Sequence, residues 1–407
     1  MKFYGARVPE HYNRGVKLLA RKEYNKALSF FRKEEVPFKE LYLNMGSCYS
    51  FLGADNKAYQ YYNLAVDSDL RFADGSRGPY PEALNNLGIV LYSRECDLQS
   101  IPYYDAALAA DPSYHDARWH RSLSMLRQVV SGNSDISSEL AFSDYDFRFY
   151  LRAGSTGIDK DLPLWDGVSS GSSIVVLSEQ GVGDTFQWMR YVKDLERYFT
   201  KVWVQLPRSL HAVHASYNVI ERLSECDAEV CVPICSLSRH FGITMTGHDY
   251  LPRTKGYDFG TTGLKVGVVG EGSVLHTNNH RRSCGMHQFL KLISPGVNLY
   301  NLTPGARTIK GIVNLNPRSW CATVDYLCGL DLVITVDTSV AHLAGVLGVP
   351  CWVLMPISDT DWRWGDSSCG TNNVWYPTVT VFRNPNNWDT VFRVVKECLS
   401  DFNSKQT

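Results

Sequence analysis

The stretch LVITVDTSVAHLAGVLGVP, residues 332–350, decides how the second half of this chain is predicted to fold. A short run of apolar and β-branched residues is typical of a buried strand, and the small residues after it favour a helix packed on that strand. The first N–H groups of such a helix attract anions. We therefore predict an anion site at the turn, and its residues are Asp337, Thr338, Ser339, Val340 and His342. The alternative is a buried helix that Asp337 or Thr338 merely caps.

Similar strand-like runs precede and follow this stretch and alternate with amphipathic segments, a pattern typical of parallel α/β units. The runs are SIVVL, KVWVQL, LKVGVVG and VPCWVLMP. A segment rich in turn-forming residues, HDYLPRTKGYDFGTTG, separates two series of them. The sequence thus predicts the α/β class with two Rossmann-like lobes, at residues 171–262 and 263–407.

The first lobe offers a candidate catalytic residue directly after its first strand, where ligands bind in parallel sheets. The segment SEQGVGD places Glu179, Gln180, Gly181 and Gly183 at a tight turn and Asp184 at the start of the next helix. A carboxylate there can accept a proton from an incoming hydroxyl. An ordinary helix N-cap is the alternative role of Asp184.

A third polar segment, GEGSVLHTNNHRRS at residues 270–283, follows the first strand of the second lobe. Arg281 and Arg282 in this segment could neutralise a diphosphate. The alternative is a solvated basic loop.

Residues 1–130 carry a repeated pattern. Gly15, Gly46 and Gly88 each precede a small residue by twelve positions, and an aromatic residue follows four positions later: Phe31, Tyr62 and Tyr104. The glycine allows paired helices to approach closely, as in tetratricopeptide repeats. Such a stack binds a protein, mediates self-association or braces the next domain. The polar composition of residues 131–170 is typical of a linker.

The overall composition limits the function classes. With 41 basic and 42 acidic residues the chain lacks the basic excess of most nucleic-acid-binding proteins. No apolar run is long enough to span a membrane, and the odd number of 11 cysteines argues against a disulfide framework, so we expect a cytoplasmic protein. The cluster Cys226, Cys231 and Cys235 has no standard zinc spacing, and structural thiols are the favoured interpretation.

Taken together, several segments resemble bacterial tetratricopeptide-repeat glycosyltransferases with a heptosyltransferase-like catalytic region of the GT-B type. They are PLWDG, SEQGVGDTFQWMRYV, HRRS, DLVITVDTSVAHLAGVLGVPCWVLMP, DWRWG, WYP and VFRN. The resemblance implies a nucleotide-sugar donor in the C-terminal lobe, Asp184 as base, and a diphosphate cradle at Asp337, Thr338, Ser339 and His342. It implies that Arg281 or Arg282 assists the leaving group, and Asp361 and Trp362 are candidate cleft residues.

Two positions depart from that family. Gly270 and His280 stand where relatives usually carry Trp and Asp, so the donor sugar is left open. We expect an inverting transferase without metal or other cofactor, because no acidic pair is placed for Mg²⁺, with a hydroxyl on a protein or glycan as acceptor. The alternatives are an acceptor that is a modified nucleic-acid base, and a repeat scaffold whose transferase domain is inactive.

Overall fold

The computed structural model describes residues 10–151, 162–243, 250–273, 279–356, 360–371, 373–383 and 387–405. The chain forms two compact units. The first comprises Met1–Val129 and Asn133–Gly154, and the second comprises Val130–Gly132 and Ser155–Thr407.

The first unit is helical, as the repeat pattern predicts. Its helices are α1 Glu10–Ala20, α2 Tyr24–Phe31, α3 Lys39–Phe51, α4 Asp55–Val66, α5 Pro81–Ser93, α6 Asp97–Ala110, α7 His115–Val130 and α8 Ser138–Tyr145. A long connection between α4 and α5 contains the Gly/Pro-rich insertion RFADGSRGPY.

Each repeat closes on a contact between its glycine and its own aromatic residue. A Cβ at Gly15 would lie 2.4 Å from the Phe31 ring, and a Cβ at Gly46 would lie 2.6 Å from Tyr62. Gly88 meets Tyr104 in the same way. Any side chain at these glycines would displace a buried ring, which is why the pattern repeats with glycine.

The predicted linker, residues 131–170, is more structured than its polar composition indicates. Helix α8 and a 3₁₀ helix at Asp146–Tyr150 lie within it. Ala141, Phe142 and Tyr145 are buried. Their spacing on one helical face outweighs the polar residues between them. Residues 152–161 lie outside the described part of the chain.

The first sheet of the second unit is parallel and four-stranded, in the order β3-β2-β1-β4. Its strands are β1 Gly171–Leu177, β2 Phe199–Gln205, β3 Asn218–Ile220 and β4 Val230–Pro233. The predicted helix after β1 is shorter than its periodicity indicates. It consists of α9 Val182–Trp188 and continues as a 3₁₀ helix, Met189–Arg197. Helix α10 Leu237–Phe241 follows β4.

The second sheet has six parallel strands in the order β10-β9-β8-β5-β6-β7. They are β5 Leu264–Val269, β6 Val297–Asn301, β7 Ile312–Asn314, β8 Leu332–Val336, β9 Cys351–Met355 and β10 Val379–Arg383. The helices of this lobe are α11 Asn279–Arg282, α12 Trp320–Gly329, α13 Ser339–Val346 and α14 Trp388–Ser404.

Counted within its own lobe, the six-stranded sheet has the strand order 3-2-1-4-5-6 of a doubly wound fold. The four-stranded sheet has the 3-2-1-4 part of that order. Ligands bind where the strand order reverses, which is between β5 and β8 in one lobe and between β1 and β4 in the other. The predicted fold class, helical repeats followed by two Rossmann-like lobes, is confirmed. No helix among the described residues is long and apolar enough to cross a membrane.

Candidate active site

The segment that decides the fold forms β8, a turn and α13, as predicted. Thr338 is the N-cap residue of α13, but its side chain makes no capping hydrogen bond. The Thr335 hydroxyl donates to the Val336 carbonyl oxygen at 2.7 Å, so the Thr338 hydroxyl donates to Thr335 at 3.1 Å. The first turn of α13 therefore has no side-chain cap from within the described chain, which is the property that an anion site needs.

Asp337 does not cap α13 either. Its Oδ1 accepts a hydrogen bond from the indole N–H of Trp364 at 3.0 Å. Burial and the charge of Asp361 raise the pKa of Asp337 to about 6, although Arg282 and Arg363 oppose this rise. The Trp364 indole therefore holds the Asp337 carboxyl group in place.

His342 is buried and neutral. Burial, together with the nearby charge of Arg363, lowers its pKa to about 3. Its Nδ1 shares a 3.1 Å hydrogen bond with the Tyr376 hydroxyl, and its ring centroid lies 5.1 Å from that of Trp364. A Cβ at Gly183 would lie 2.9 Å from His342 Cδ2 and 3.3 Å from Ser339 Cα. Glycine at position 183 thus lets the turn of the N-terminal lobe approach the start of α13.

A cavity of about 620 Å³ lies at the strand-order reversal of the six-stranded sheet. Residues after three of its parallel strands line it: Glu271 and Gly272 after β5, Leu302 and Thr303 after β6, and Thr338, Ser339 and Val340 after β8. Trp320, the first residue of α12, contributes an aromatic wall. The volume and the mixed apolar and polar lining suit a small organic ligand.

Arg282 lies next to Gly272, one of the residues that line this cavity. Its guanidinium group occupies the space beside Gly272, where a Cβ would be 2.6 Å from Nη2. Its charge also lowers the pKa of Asp337, so it is close to the turn before α13. Arg281 precedes it on α11. Residues 274–278 of the same segment lie outside the described part of the chain, as does the His280 side chain.

Asp184 is the third residue of α9, in the opposite lobe. Its Oδ2 accepts the Gly181 backbone N–H at 2.8 Å, so it closes the first turn of its own helix. Its Oδ1 accepts from Arg363 Nη2 at 2.5 Å. Burial raises the pKa of Asp184, and the charge of Arg363 opposes this rise. Asp184 is therefore not the N-cap of the alternative interpretation, because Gly181 occupies that position. It is the third helical residue, one of its oxygens binds the N-cap N–H, and the other binds Arg363 of the other lobe.

Arg363 is the residue that joins the two lobes at this point. It is 4% exposed, and its Nη1 donates to both carboxylate oxygens of Asp361, at 3.0 and 2.9 Å. Its guanidinium carbon lies 4.7 Å from the centre of the Trp362 ring and 5.7 Å from that of Trp188. Burial opposes the ionisation of Asp361, but the charge and hydrogen bonds of Arg363 lower its pKa. Asp361 and Trp362 of DWRWG were predicted cleft residues, whereas Arg363 and Trp364 were not, because their neighbours are distant in the sequence.

The remaining predicted residues of the first turn lie beside this site. Glu179 is buried, and its Oε1 accepts the Cys235 backbone N–H at 3.1 Å, which ties the turn after β1 to the end of β4. Gln180 has a φ of 57°, in the left-handed region. Glu179 and Gln180 therefore shape the turn that presents Asp184.

The space around Gly270 is too small for the tryptophan that is usual at this position in the family that the sequence resembles. The Gly270 carbonyl oxygen accepts the backbone N–H groups of Cys284 and Gly285, and a Cβ at this position would lie 3.1 Å from backbone atoms of Gly285 and Met286. A tryptophan cannot fit there without moving the segment that follows α11. Within the described ranges, no group of three or more His, Cys, Asp or Glu side chains could hold a metal ion.

Comparisons with known proteins give partial matches to solved structures. No protein-family model matches the chain, and no curated protein sequence matches it. The tetratricopeptide-repeat protein YrrB, described as having an unusual peptide-binding site, is 17% identical over 34% of this chain and 66% of its own, with a TM-score of 0.27.

Two heptosyltransferase structures resemble a larger part of the chain. E. coli WaaC with ADP is 13% identical over 56% of this chain and 99% of its own, with a TM-score of 0.39. The iron-containing dodecameric glycosyltransferase TibC of enterotoxigenic E. coli is 10% identical over 56% and 65%, with a TM-score of 0.40. Solved structures thus match the helical repeats and the two-lobed α/β part of the chain. The TM-scores are too low to assign the role of any residue in this chain.

Proposed function

We propose that the chain is a glycosyltransferase that moves a sugar from a nucleoside diphosphate to a hydroxyl acceptor on a protein or glycan, with inversion and without a metal ion. The observation that carries the proposal is the cavity at the strand-order reversal, into which the start of α13 opens. A cavity of this kind suits a nucleotide, and an uncapped helix start suits its phosphates.

The leaving group would be stabilised by fixed donors. Negative charge grows on the diphosphate as the bond to the sugar breaks, so N–H groups and cations already aimed there act mainly in the transition state. The donors here include the first N–H groups of α13 and the Ser339 hydroxyl, which line the cavity, and Arg282, whose guanidinium group lies beside the lining residue Gly272. Each well-placed donor contributes on the order of 3–4 kcal/mol in comparable sites.

The base would be Asp184. It belongs to the other lobe, and Gly183 beside it packs against His342 and Ser339 of α13. A carboxylate on one side and a phosphate cradle on the other suit a single displacement, in which the acceptor hydroxyl loses its proton to Asp184 as it attacks the sugar. This direct attack inverts the sugar configuration.

The test is a titration of the purified protein with ADP, GDP, UDP, CDP and dTDP, followed by a mass-spectrometric screen of the matching nucleotide-sugars with protein and glycan acceptors. We expect one diphosphate to bind best and Arg282→Met to weaken its binding about tenfold or more, because hydrogen bonds to charged groups contribute about 1.5–3 kcal/mol. Arg281→Met, the neighbour on α11, is the matched control and should weaken binding less.

Two outcomes would contradict the proposal. If none of the five diphosphates binds, the alternative of a repeat scaffold with an inactive transferase domain is favoured. Transfer to a hydroxylated DNA base, with binding that collapses as salt rises, would replace the acceptor class while keeping the reaction.

A further inference from the structure

We propose that Arg363 is a positioning residue for this reaction, which holds Asp184 with one guanidinium nitrogen and Asp361 with the other. The inference rests on the proposed role of Asp184 as base. It adds a residue from the C-terminal lobe that sets the orientation and the proton affinity of a carboxylate in the N-terminal lobe.

The geometry restricts Asp184 from two sides. The Gly181 N–H holds Oδ2 at 2.8 Å, and Arg363 Nη2 holds Oδ1 at 2.5 Å. Arg363 is itself fixed, because Asp361 binds its Nη1 through both oxygens and the Trp362 ring lies beside it. A guanidinium group suits this task because its donors form a rigid planar fork, whereas lysine offers a single point charge.

The same short segment also contacts the donor side of the cleft. Trp364, next to Arg363, donates its indole N–H to Asp337 and packs against His342. The Arg363 carbonyl oxygen accepts the indole N–H of Trp375 at 2.9 Å. Two neighbouring residues of one short segment therefore contact Asp184 in one lobe and Asp337, before α13, in the other.

Several charged or titratable groups face Asp184, and they act in opposite directions. Arg363 and the Gly181 N–H favour its ionised form, while Asp361 and Glu179 disfavour it. His342 and Tyr376 also lie near this network. The effects of removing Arg363 and of removing the Asp361 charge on the titration of Asp184 should therefore have opposite signs.

The experiment uses the full-length protein labelled with ¹³C at the aspartate carboxyl carbons, and Asp184→Asn identifies the Asp184 resonance. In Arg363→Met we expect the Asp184 titration midpoint, and the acidic limb of kcat/KM, to move up by about one pH unit or more, as for the loss of a contacting opposite charge. In Asp361→Asn we expect both to move down. Arg363→Lys should give an upward shift smaller than that of the methionine variant.

Arg190→Met is the matched control. Arg190 is also buried and also reaches the other lobe, where its Nη1 donates to the Trp375 carbonyl oxygen at 3.2 Å and its side chain hydrogen-bonds Tyr376. If only the packing between the lobes matters, Arg190→Met and Arg363→Met should shift the Asp184 titration midpoint alike. If Arg363 positions Asp184, only Arg363→Met should shift it.

Equal midpoints in the wild type, Arg363→Met and Arg363→Lys would overturn the inference, as would shifts of the same sign in Arg363→Met and Asp361→Asn. If the methionine variant does not fold, the lysine and Asp361→Asn variants still decide the question by the signs of their shifts. Shifted midpoints in a protein that transfers no sugar would instead overturn the proposed reaction, because the titration needs no substrate.

Discussion

The two lobes use the same local construction, a buried strand, a turn and a short helix, but the two helix starts are filled differently. At α9 the chain supplies its own anion, since Asp184 accepts the Gly181 N–H. At α13 the side chain of the N-cap residue Thr338 makes no capping bond, and Asp337 is held by Trp364. The difference is that a carboxylate of the chain itself completes the first turn of α9, whereas the N-cap side chain of α13 contributes no such bond, which is the arrangement that the proposed anion site requires.

Replacing the internal anion is expected to have the largest effect. Asp184→Asn keeps the shape and can still accept the Gly181 N–H, but it cannot take a proton. We expect kcat to fall by about 10²–10⁴, while diphosphate binding at the other helix start changes far less, because Asp184 does not line that cavity. Steady-state kinetics and calorimetric titration check the two halves of this prediction. Near-normal turnover would show that Asp184 is not the base.

Adding a carboxylate at the start of α13 should have the next largest effect. Thr338→Asp adds a carboxylate at the N-cap, which should raise the free energy of unfolding by about 0.3–1 kcal/mol through the helix dipole. The same charge should weaken diphosphate binding about tenfold or more, because like charges about 4 Å apart near a protein surface cost several kcal/mol.

Thr338→Asn is the matched control, because it offers a cap of the same shape without charge. It should stabilise the helix and weaken binding less than the aspartate does. If the two variants bind the diphosphate equally well, the phosphates do not lie at α13.

A smaller effect concerns the buried histidines of the two lobes. His342 has a Tyr376 partner, whereas neither ring nitrogen of His214 has a partner within the described chain. Burial lowers the pKa of His214 to about 4. Below about pH 6.5 the His214 side chain is protonated in the unfolded chain but stays neutral in the folded chain. The free energy of unfolding therefore falls as the pH drops from about 6.5 towards 4.

His214→Phe keeps the aromatic contact with Phe186 and removes this proton. Between pH 6 and 4 we expect the free energy of unfolding to depend less steeply on pH, by about 1.4 kcal/mol per pH unit. Denaturant unfolding at several pH values measures the slope. His287→Phe, at an exposed position, is the control, and an unchanged slope in His214→Phe would contradict the assignment.

Much of the fold could be predicted from the sequence because both units contain local sequence patterns that are typical of their elements. Apolar runs bounded by turns predict β1, β2, β5, β8 and β9, and the glycine–aromatic spacing predicts the helical pairs. The other five strands have three to five residues each and were not predicted. The candidate residues could be chosen for a similar reason, since they follow strands directly. The length of α9 and the presence of α8 were harder to predict, because burial of a few apolar residues decided them.

The role of Arg363 could not be read in this way. In sequence it is one arginine between two tryptophans, and nothing local distinguishes a solvated side chain from one that is 4% exposed. Its partner Asp184 lies 179 positions away. Trp364 was missed for the same reason, because its contact with Asp337 depends on how the segment after β9 returns across the cleft.

The glycine–aromatic contacts of the repeats and the Asp184–Arg363 pair also differ in when they can form during folding. Each repeat contact closes a loop no longer than one helical hairpin, so the entropy lost on closing it is small and early formation is favoured. The Asp184–Arg363 contact closes 179 residues and requires both sheets to exist first. A nascent or C-terminally shortened chain would therefore carry folded repeats before it carried an oriented Asp184.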